Sequence, residues 1–193
     1  ARFYNREKDS FICRLCPQEC NLKEEQEGIC GVRKVANGKL VTMNYGLCAA
    51  LSFDPVEKKP LYHFFPGYDI LSLGSTGCNL NCSFCQNWTL ARGEVPGAGE
   101  KISAEDLLGI LEVRPVREQL GIAYTYNEPT VWFEFVRDTS ELIAEKGYKN
   151  VLVTNGFINE EPLKELLPFI HGMNIDVKAF QDSFYRRYCH GKG

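Results

Sequence analysis

The run Gly-Cys-Asn-Leu-Asn-Cys-Ser-Phe-Cys at 77–85 sets Cys78, Cys82 and Cys85 at a C-x3-C-x2-C spacing, directly after a short apolar segment at 70–73. Thiolates this close, on a loop leaving a strand, converge on one centre. Three protein ligands suit a 4Fe-4S cluster whose fourth iron stays open to a substrate or cofactor. A structural zinc ion normally takes a fourth ligand and is built from C-x2-C pairs. Buried thiols without a ligand are the remaining alternative, and a tight group of three on a loop is placed for ligation rather than packing. The fold must therefore offer a strand end from which a loop can wrap a bulky inorganic group.

From about residue 68 the chain alternates strand-like and helix-like segments. Strands are expected at 70–73, 121–124, 151–153 and 173–177. Ser103-Ala-Glu-Asp106 opens a helix with a capping-box pattern. A second helix spans 130–145, with apolar Val131, Phe135, Leu142 and Ile143 on one face and Lys146-Gly147 at its end. Shorter helices are expected at 160–167 and from 183 to 188. Repeated β-α units predict an α/β fold with a parallel sheet, and in such sheets functional groups gather at the carboxyl ends of the strands. Each expected strand here ends in polar residues. The first runs into Gly74-Ser75-Thr76-Gly77 and the second into Tyr126-Asn127-Glu128. The third ends at Thr154-Asn155-Gly156, suited to hydrogen-bonding a ribose. The fourth carries Asp176 and Lys178, which alternate onto one face. The structural alternatives are plain: Asn127-Glu128-Pro129 caps the following helix, Thr154-Asn155-Gly156 is an ordinary turn, and Asp176 with Lys178 is a solvent-facing ion pair.

The first section of the chain holds a second cysteine group, Cys13, Cys16, Cys20 and Cys30, spaced C-x2-C-x3-C-x9-C. Four thiols can close a tetrahedral site; zinc and an auxiliary iron-sulfur cluster both fit, and ligand softness does not separate them. Apolar runs at 32–35 and 39–42 flank Ala36-Asn37-Gly38, a hairpin signal. The expectation is a Cys-rich, metal-binding β segment over 1–67 followed by an α/β unit over 68–193. The charge run at 23–27 reads as a solvated loop, and Cys48 and Cys189 as isolated small hydrophobes, the second within reach of a site after the fourth strand.

With 44% hydrophobic residues in 193, the chain can bury a substantial core. A net charge of -3 gives no electrostatic footprint for non-specific nucleic-acid binding. No apolar run approaches the ~18 residues of a spanning helix, and the first residues lack the apolar stretch of a secretory signal. Seven of the nine cysteines lie in the two clusters, which in a reducing compartment read as metal sites rather than disulfides. A cytoplasmic location is expected.

Three strings together carry a family resemblance. They are the cysteine loop, with Phe84 before its last cysteine and Cys85-Gln-Asn-Trp88 after it; Asp54-Pro-Val-Glu-Lys-Lys-Pro-Leu-Tyr-His-Phe-Phe-Pro-Gly67; and Tyr124-Thr-Tyr-Asn-Glu-Pro129. In this order they resemble the radical S-adenosylmethionine (SAM) component of the AmmeMemoRadiSam system, a relative of the pyruvate formate-lyase activating enzymes. The resemblance implies a partial TIM-like (β/α)6 barrel, of which this chain carries about four β-α units, leaving a sheet edge that further strands normally cover. It implies a 4Fe-4S cluster on Cys78, Cys82 and Cys85, with SAM on the open iron. Asn127 and Glu128 would hold the SAM amino group, Lys178 the methionine carboxylate with Asp176 ordering its neighbours, and Phe84 the adenine, while Thr154 and Asn155 fit the ribose. Reductive cleavage would give a 5'-deoxyadenosyl radical that abstracts hydrogen from a substrate the sequence does not name, an oxidoreductase chemistry. It further implies an electron donor of the flavodoxin or ferredoxin type and companion proteins of the same system. The activating enzymes have an aspartate where Val153 stands, which removes one ligand for a monovalent cation. An iron-sulfur electron carrier and a non-catalytic zinc-binding scaffold are the competing classes; neither needs the polar strand ends and the cysteine triad together.

Overall fold

The structure is a computed structural model and describes residues 1–93, 99–113 and 119–191. The chain opens with strands β1 (Tyr4–Glu7), β2 (Ser10–Cys13) and β3 (Asn21–Leu22), which form a small antiparallel sheet in that order. Strands β4 (Arg33–Ala36) and β5 (Lys39–Thr42) make the expected hairpin. Its turn residues Asn37 and Gly38 both have positive φ, 53° and 68°, as the tight turn that matches strand twist requires. Strand β6 (Leu47–Cys48) leads to β7 (Ala50–Pro55) and, after a loop, β8 (Asp69–Gly74). The short helix α1 (Trp88–Ala91) follows the cysteine loop; β9 (Glu100–Lys101) pairs with β6. The remaining elements alternate: α2 (Ala104–Glu112), β10 (Gln119–Tyr124), α3 (Phe133–Glu145), β11 (Lys149–Thr154), α4 (Glu160–Leu166), β12 (Gly172–Ile175) and α5 (Asp182–Phe184).

The main sheet has the order β12-β11-β10-β8-β7. Strands β8, β10, β11 and β12 are parallel, and β7 runs antiparallel beside β8. Burial along β8 and β10 is nearly continuous, as expected of parallel strands covered on both faces. Alternate residues serve the two faces. Leu71, Leu73, Ile122, Tyr124 and Leu152 join Leu107 and Leu111 of α2, Phe133, Phe135, Val136 and Ile143 of α3, and Leu166 of α4 in one core. Ile70, Ala123 and Val151 face the other way, onto Val56, Leu61, Phe64 and Tyr68 from the segment between β7 and β8.

Packing runs across the expected 67/68 boundary: β7 extends the main sheet, and Phe11, Leu15, Leu22, Val35 and Leu40 enter the same core as the helices. One sequence expectation is corrected: the fourth strand, expected at 173–177, stops at Ile175. The Asp176 amide still bonds the Thr154 carbonyl, but the Val177 amide turns back to Ile175, which ends the ladder.

The helix expected over 130–145 starts as a tight turn at Pro129–Trp132 before α3 proper, with the Trp132 indole donating to the Asn44 carbonyl at 2.6 Å. Ser103 caps α2 in a complete capping box with Asp106. As the last strand of the sheet, β12 leaves Ile175, Val177 and Phe180 exposed nearby. No helix among the described residues is long and apolar enough to cross a membrane.

Candidate functional site

The carboxyl ends of β8, β10, β11 and β12 open onto one cavity of about 560 Å³, within the usual range for small-molecule sites. Cys78, Cys82 and Cys85 line it together with Phe84, Asn127, Glu128, Thr154, Asn155, Asp176 and Lys178. Every residue expected at the cofactor site is therefore on its wall.

Backbone fit brings the cysteine loop there. A Cβ on Gly74 would stand 2.6 Å from the Thr125 carbonyl oxygen and 3.2 Å from Asn127 Oδ1, so only glycine allows this approach. Gly77 has φ +92°, and a Cβ there would meet the Cys30 carbonyl oxygen at 2.6 Å; the N-terminal cysteine unit is packed against the loop. Asn127 accepts from the Ser75 amide at 3.0 Å and donates to the Gly77 carbonyl at 2.9 Å. From the other side, the Asn81 and Ser83 amides donate to the carbonyls of Cys189 and Tyr188, in the wide turn after α5, at 2.8 and 2.9 Å.

Around Cys78 the sulfur accepts from the Leu80 amide at 3.4 Å and from Asn155 Nδ2 at 3.8 Å. Burial, reinforced by the Glu128 charge, pushes the Cys78 thiol up to about 12. Burial and a hydrogen bond with Cys189 do the same for Cys82. Such thiols ionise when a cation arrives to share them. Among the described residues no three His, Cys, Asp or Glu side chains stand around a point in the arrangement that holds a single ion. Three thiols on one cavity wall, with N–H donors to the Cys78 sulfur, are the type of donor set that a 4Fe-4S cluster takes.

Glu128 is 2% exposed. Its carboxylate accepts from the Thr130 amide at 3.0 Å, the Thr154 hydroxyl at 2.7 Å and the Asn155 amide at 2.8 Å. Burial raises its pKa, while these donors pull the other way. Three of its roughly four acceptor positions are taken, so the helix-capping alternative is realised alongside any ligand role. Thr154 also accepts from the Gly156 amide, and Asn155 Nδ2 donates to Asn79 at 2.9 Å. The strand-end side chains hold one another and the loop before they hold any ligand.

Asp176 and Lys178 lie beyond β12 rather than within it, and pair at 3.0 Å. Burial disfavours the Lys178 charge, but the Asp176 hydrogen bond and charge outweigh it and raise its pKa. Phe84 is half exposed and packs against Phe184 at 5.8 Å between ring centroids. His63 and Trp88 do not border the cavity.

Sequence reasoning missed a charged corner of the same cavity. Asp54 accepts from Lys59 at 2.9 Å, Lys58 at 3.2 Å and the Tyr126 hydroxyl at 3.0 Å, and all four residues line the wall. Burial opposes ionisation of Asp54, yet these three donors hold its carboxyl well below the usual range. Asp54, Lys58 and Lys59 stand in the string from Asp54 to Gly67 that carries part of the family resemblance, but nothing in it placed them at the cavity.

The second cysteine group surrounds its own small cavity of about 20 Å³, lined by Cys13, Cys16, Cys20, Cys30 and Arg33 among others. Burial pushes Cys16 up to about 12 and raises Cys13 and Cys30. Arg33 is 1% exposed; one nitrogen pairs with Glu134 at 2.8 Å, while its Nε and Nη1 have no hydrogen-bond partner among the described residues.

Residues 73–193 match the model of the Radical SAM superfamily. The whole chain is similar to an uncharacterized protein of Methanocaldococcus jannaschii, 42% identical over 98% of this chain and 56% of that protein. Part of it is similar to a 7-carboxy-7-deazaguanine synthase of Methanothermobacter thermautotrophicus, 31% identical over 53% of this chain and 38% of the relative. Another match is a pyruvate formate-lyase-activating enzyme of Clostridium pasteurianum, 29% identical over 61% and 48%. The chain thus spans about half the length, or less, of these relatives. With the cysteine loop leaving the first parallel strand and the polar strand ends meeting it in one cavity, the chain belongs to the Radical SAM superfamily.

Proposed function

We propose that this chain binds a 4Fe-4S cluster on Cys78, Cys82 and Cys85 and uses it to cleave SAM reductively, within the AmmeMemoRadiSam branch of the superfamily. The observation that carries the reading is the shared cavity: three thiols and the ends of four parallel strands open onto one space of about 560 Å³. When bound, the cluster supplies the electron that splits SAM into methionine and a 5'-deoxyadenosyl radical, the agent of hydrogen abstraction.

The chain's own residues position and shield. Asn127 holds the loop open around the cluster site, and Leu80 and Asn155 donate to the Cys78 sulfur. Lys178 meets the methionine carboxylate, released in part from Asp176. Glu128 offers its remaining acceptor position to the amino group, and its larger task is to fix the ends of β10 and β11. Phe84 gives the adenine an apolar face, and Thr154 and Asn155 stand where the ribose would lie. Electrons come from a flavodoxin- or ferredoxin-type donor, and the companion proteins of the system are its partners. The four parallel strands are read as the first part of a (β/α)6 barrel, with β12 as the edge that further strands continue.

For the N-terminal quartet we propose a single structural ion, zinc by preference. A cavity near the scale of one water molecule suits an ion and is tight for a cluster, and the unpartnered Arg33 nitrogens offer positive charge to a tetrathiolate. The thiols would have to turn inward to meet it.

The test is anaerobic reconstitution followed by reduction in the presence of SAM. The expected result is 5'-deoxyadenosine and methionine in equal amounts, absent when Cys78 is alanine. A reconstituted cluster whose EPR signal ignores SAM, with no cleavage, would reject the reading in favour of an electron carrier.

A further inference from the structure

The segment that carries Asp54, Lys58 and Lys59 lies ahead of the superfamily match at 73–193, yet it reaches the cavity because β7 adds to the edge of the main sheet. Lys59 is 4% exposed. Its ammonium sits 2.9 Å from Asp54 and 5.2 Å from the centroid of the Tyr126 ring. Lys58 approaches the other Asp54 oxygen at 3.2 Å. Two ammonium groups thus share one carboxylate, leaving one positive charge in excess. Each ammonium has three N–H donors and gives one to Asp54. Tyr126 is fixed as well: its φ is +70°, a conformation rare for a residue with a side chain, and Asn87 from the end of the cysteine loop donates to its carbonyl at 2.7 Å.

The corner and the other cationic position belong to different sides of the cavity. Strands β7 and β12 are opposite edges of the sheet, with β8, β10 and β11 between them. Lys178 follows β12, while Lys58 and Lys59 follow β7, the neighbour of the strand from which the cysteine loop rises. Resting on the cofactor reading above, we propose that Lys58 and Lys59, braced by Asp54 and Tyr126, bind an anionic oxygen group of the substrate, a carboxylate or a phosphate monoester. Burying a lysine in a cavity wall costs free energy unless it is paired; Asp54 pairs it in the free protein, and the anion takes the surplus charge when it binds.

Calorimetry on the reconstituted, SAM-loaded chain tests this with three probes: glutarate, glycerol 3-phosphate and the neutral glutaramide. One of the two anions should bind saturably and glutaramide should not, and which anion binds tells carboxylate from phosphate. Lys59→Met should weaken that probe by roughly tenfold or more, and Lys58→Gln by a smaller factor of about three to ten. Lys58 is largely exposed, so its variant keeps the test in force should Lys59→Met not fold. The SAM-induced change in the cluster's EPR signal, measured in each variant, separates this idea from the cofactor reading: its loss in the wild-type chain would sink the cofactor reading instead. Equal binding of the anions by wild type and both variants, or no preference for either anion over glutaramide, overturns the proposal.

Discussion

Replacing Glu128 separates a structural brace from a ligand contact. Its carboxylate accepts from three groups on two elements: the Thr130 amide at the start of the turn into α3, and the Thr154 hydroxyl and Asn155 amide at the end of β11. Hydrogen bonds to a charged acceptor contribute about 1.5–3 kcal/mol each, so three bound the loss in Glu128→Ala at roughly 4.5–9 kcal/mol. Water entering the space returns part of this, and a net cost of about 3–5 kcal/mol is expected. Against a total stability of ~5–15 kcal/mol, that is a large fraction. Glu128→Gln keeps one acceptor oxygen for Thr130 and Thr154 but sets an NH2 group against the Asn155 amide; about 1–3 kcal/mol should be lost. Urea unfolding of the metal-free chain measures both, with an unchanged m-value as the check on the unfolded state. A Glu128→Ala midpoint shift worth less than about 1 kcal/mol would show that the three bonds do not brace the strand ends, and Glu128 would return to being chiefly a cofactor contact.

Alanine at Cys78, Cys82 or Cys85 should remove the SAM-responsive cluster, read as lost iron, sulfide and visible absorbance after reconstitution; full retention of all three would contradict the ligand set. Cys16→Ala should lower metal content at the N-terminal quartet and the melting midpoint while sparing the SAM-dependent EPR signal; an unchanged zinc content would reject the quartet as its site. Lys178→Ala should weaken SAM binding by roughly tenfold to a hundredfold with the cluster intact, as followed by calorimetry, and an unaltered affinity would move the carboxylate contact elsewhere. Asp54 is held below its ordinary value, so the unfolded chain binds its proton more tightly and stability rises with pH across that window. The stability difference between wild type and Asp54→Asn should be full well above pH ~4 and shrink as the pH drops below that toward the native value; a difference that stays constant down to about pH 2 would show that the pairing with Lys59 and Lys58 does not depress it.

Local signals reached the sequence intact. Asn37-Gly38 specified its hairpin through two positive φ values, and Ser103 with Asp106 specified the start of α2, because both depend on neighbours a few residues away. The parallel strands and their polar ends were legible from alternation of type. What escaped depends on distant partners. Strand β7 is fixed by pairing with β8, and nothing in its own pattern announces that it crowns the sheet. That Glu128 also braces the end of β11 depends on Thr154 and Asn155, 26 and 27 residues further on. The Asp54 corner needs Tyr126, which lies 72 residues further on.

The Gln18 side chain gives the cysteine loop a timetable. Its amide donates to the Asn79 carbonyl at 2.9 Å and to the His190 carbonyl at 3.0 Å, bonds that close 61 and 172 residues of chain. Contacts between such distant positions form late, because the entropy of closing a long loop is lost before the contact rewards it. During synthesis the thiols of Cys78, Cys82 and Cys85 emerge more than a hundred residues before His190, so for that interval the loop is made but not yet clamped. Until His190 and its neighbours arrive, Gln18 lacks its second acceptor and the loop its tethers to the carbonyls of Tyr188 and Cys189, so the loop's final shape is a late product of folding.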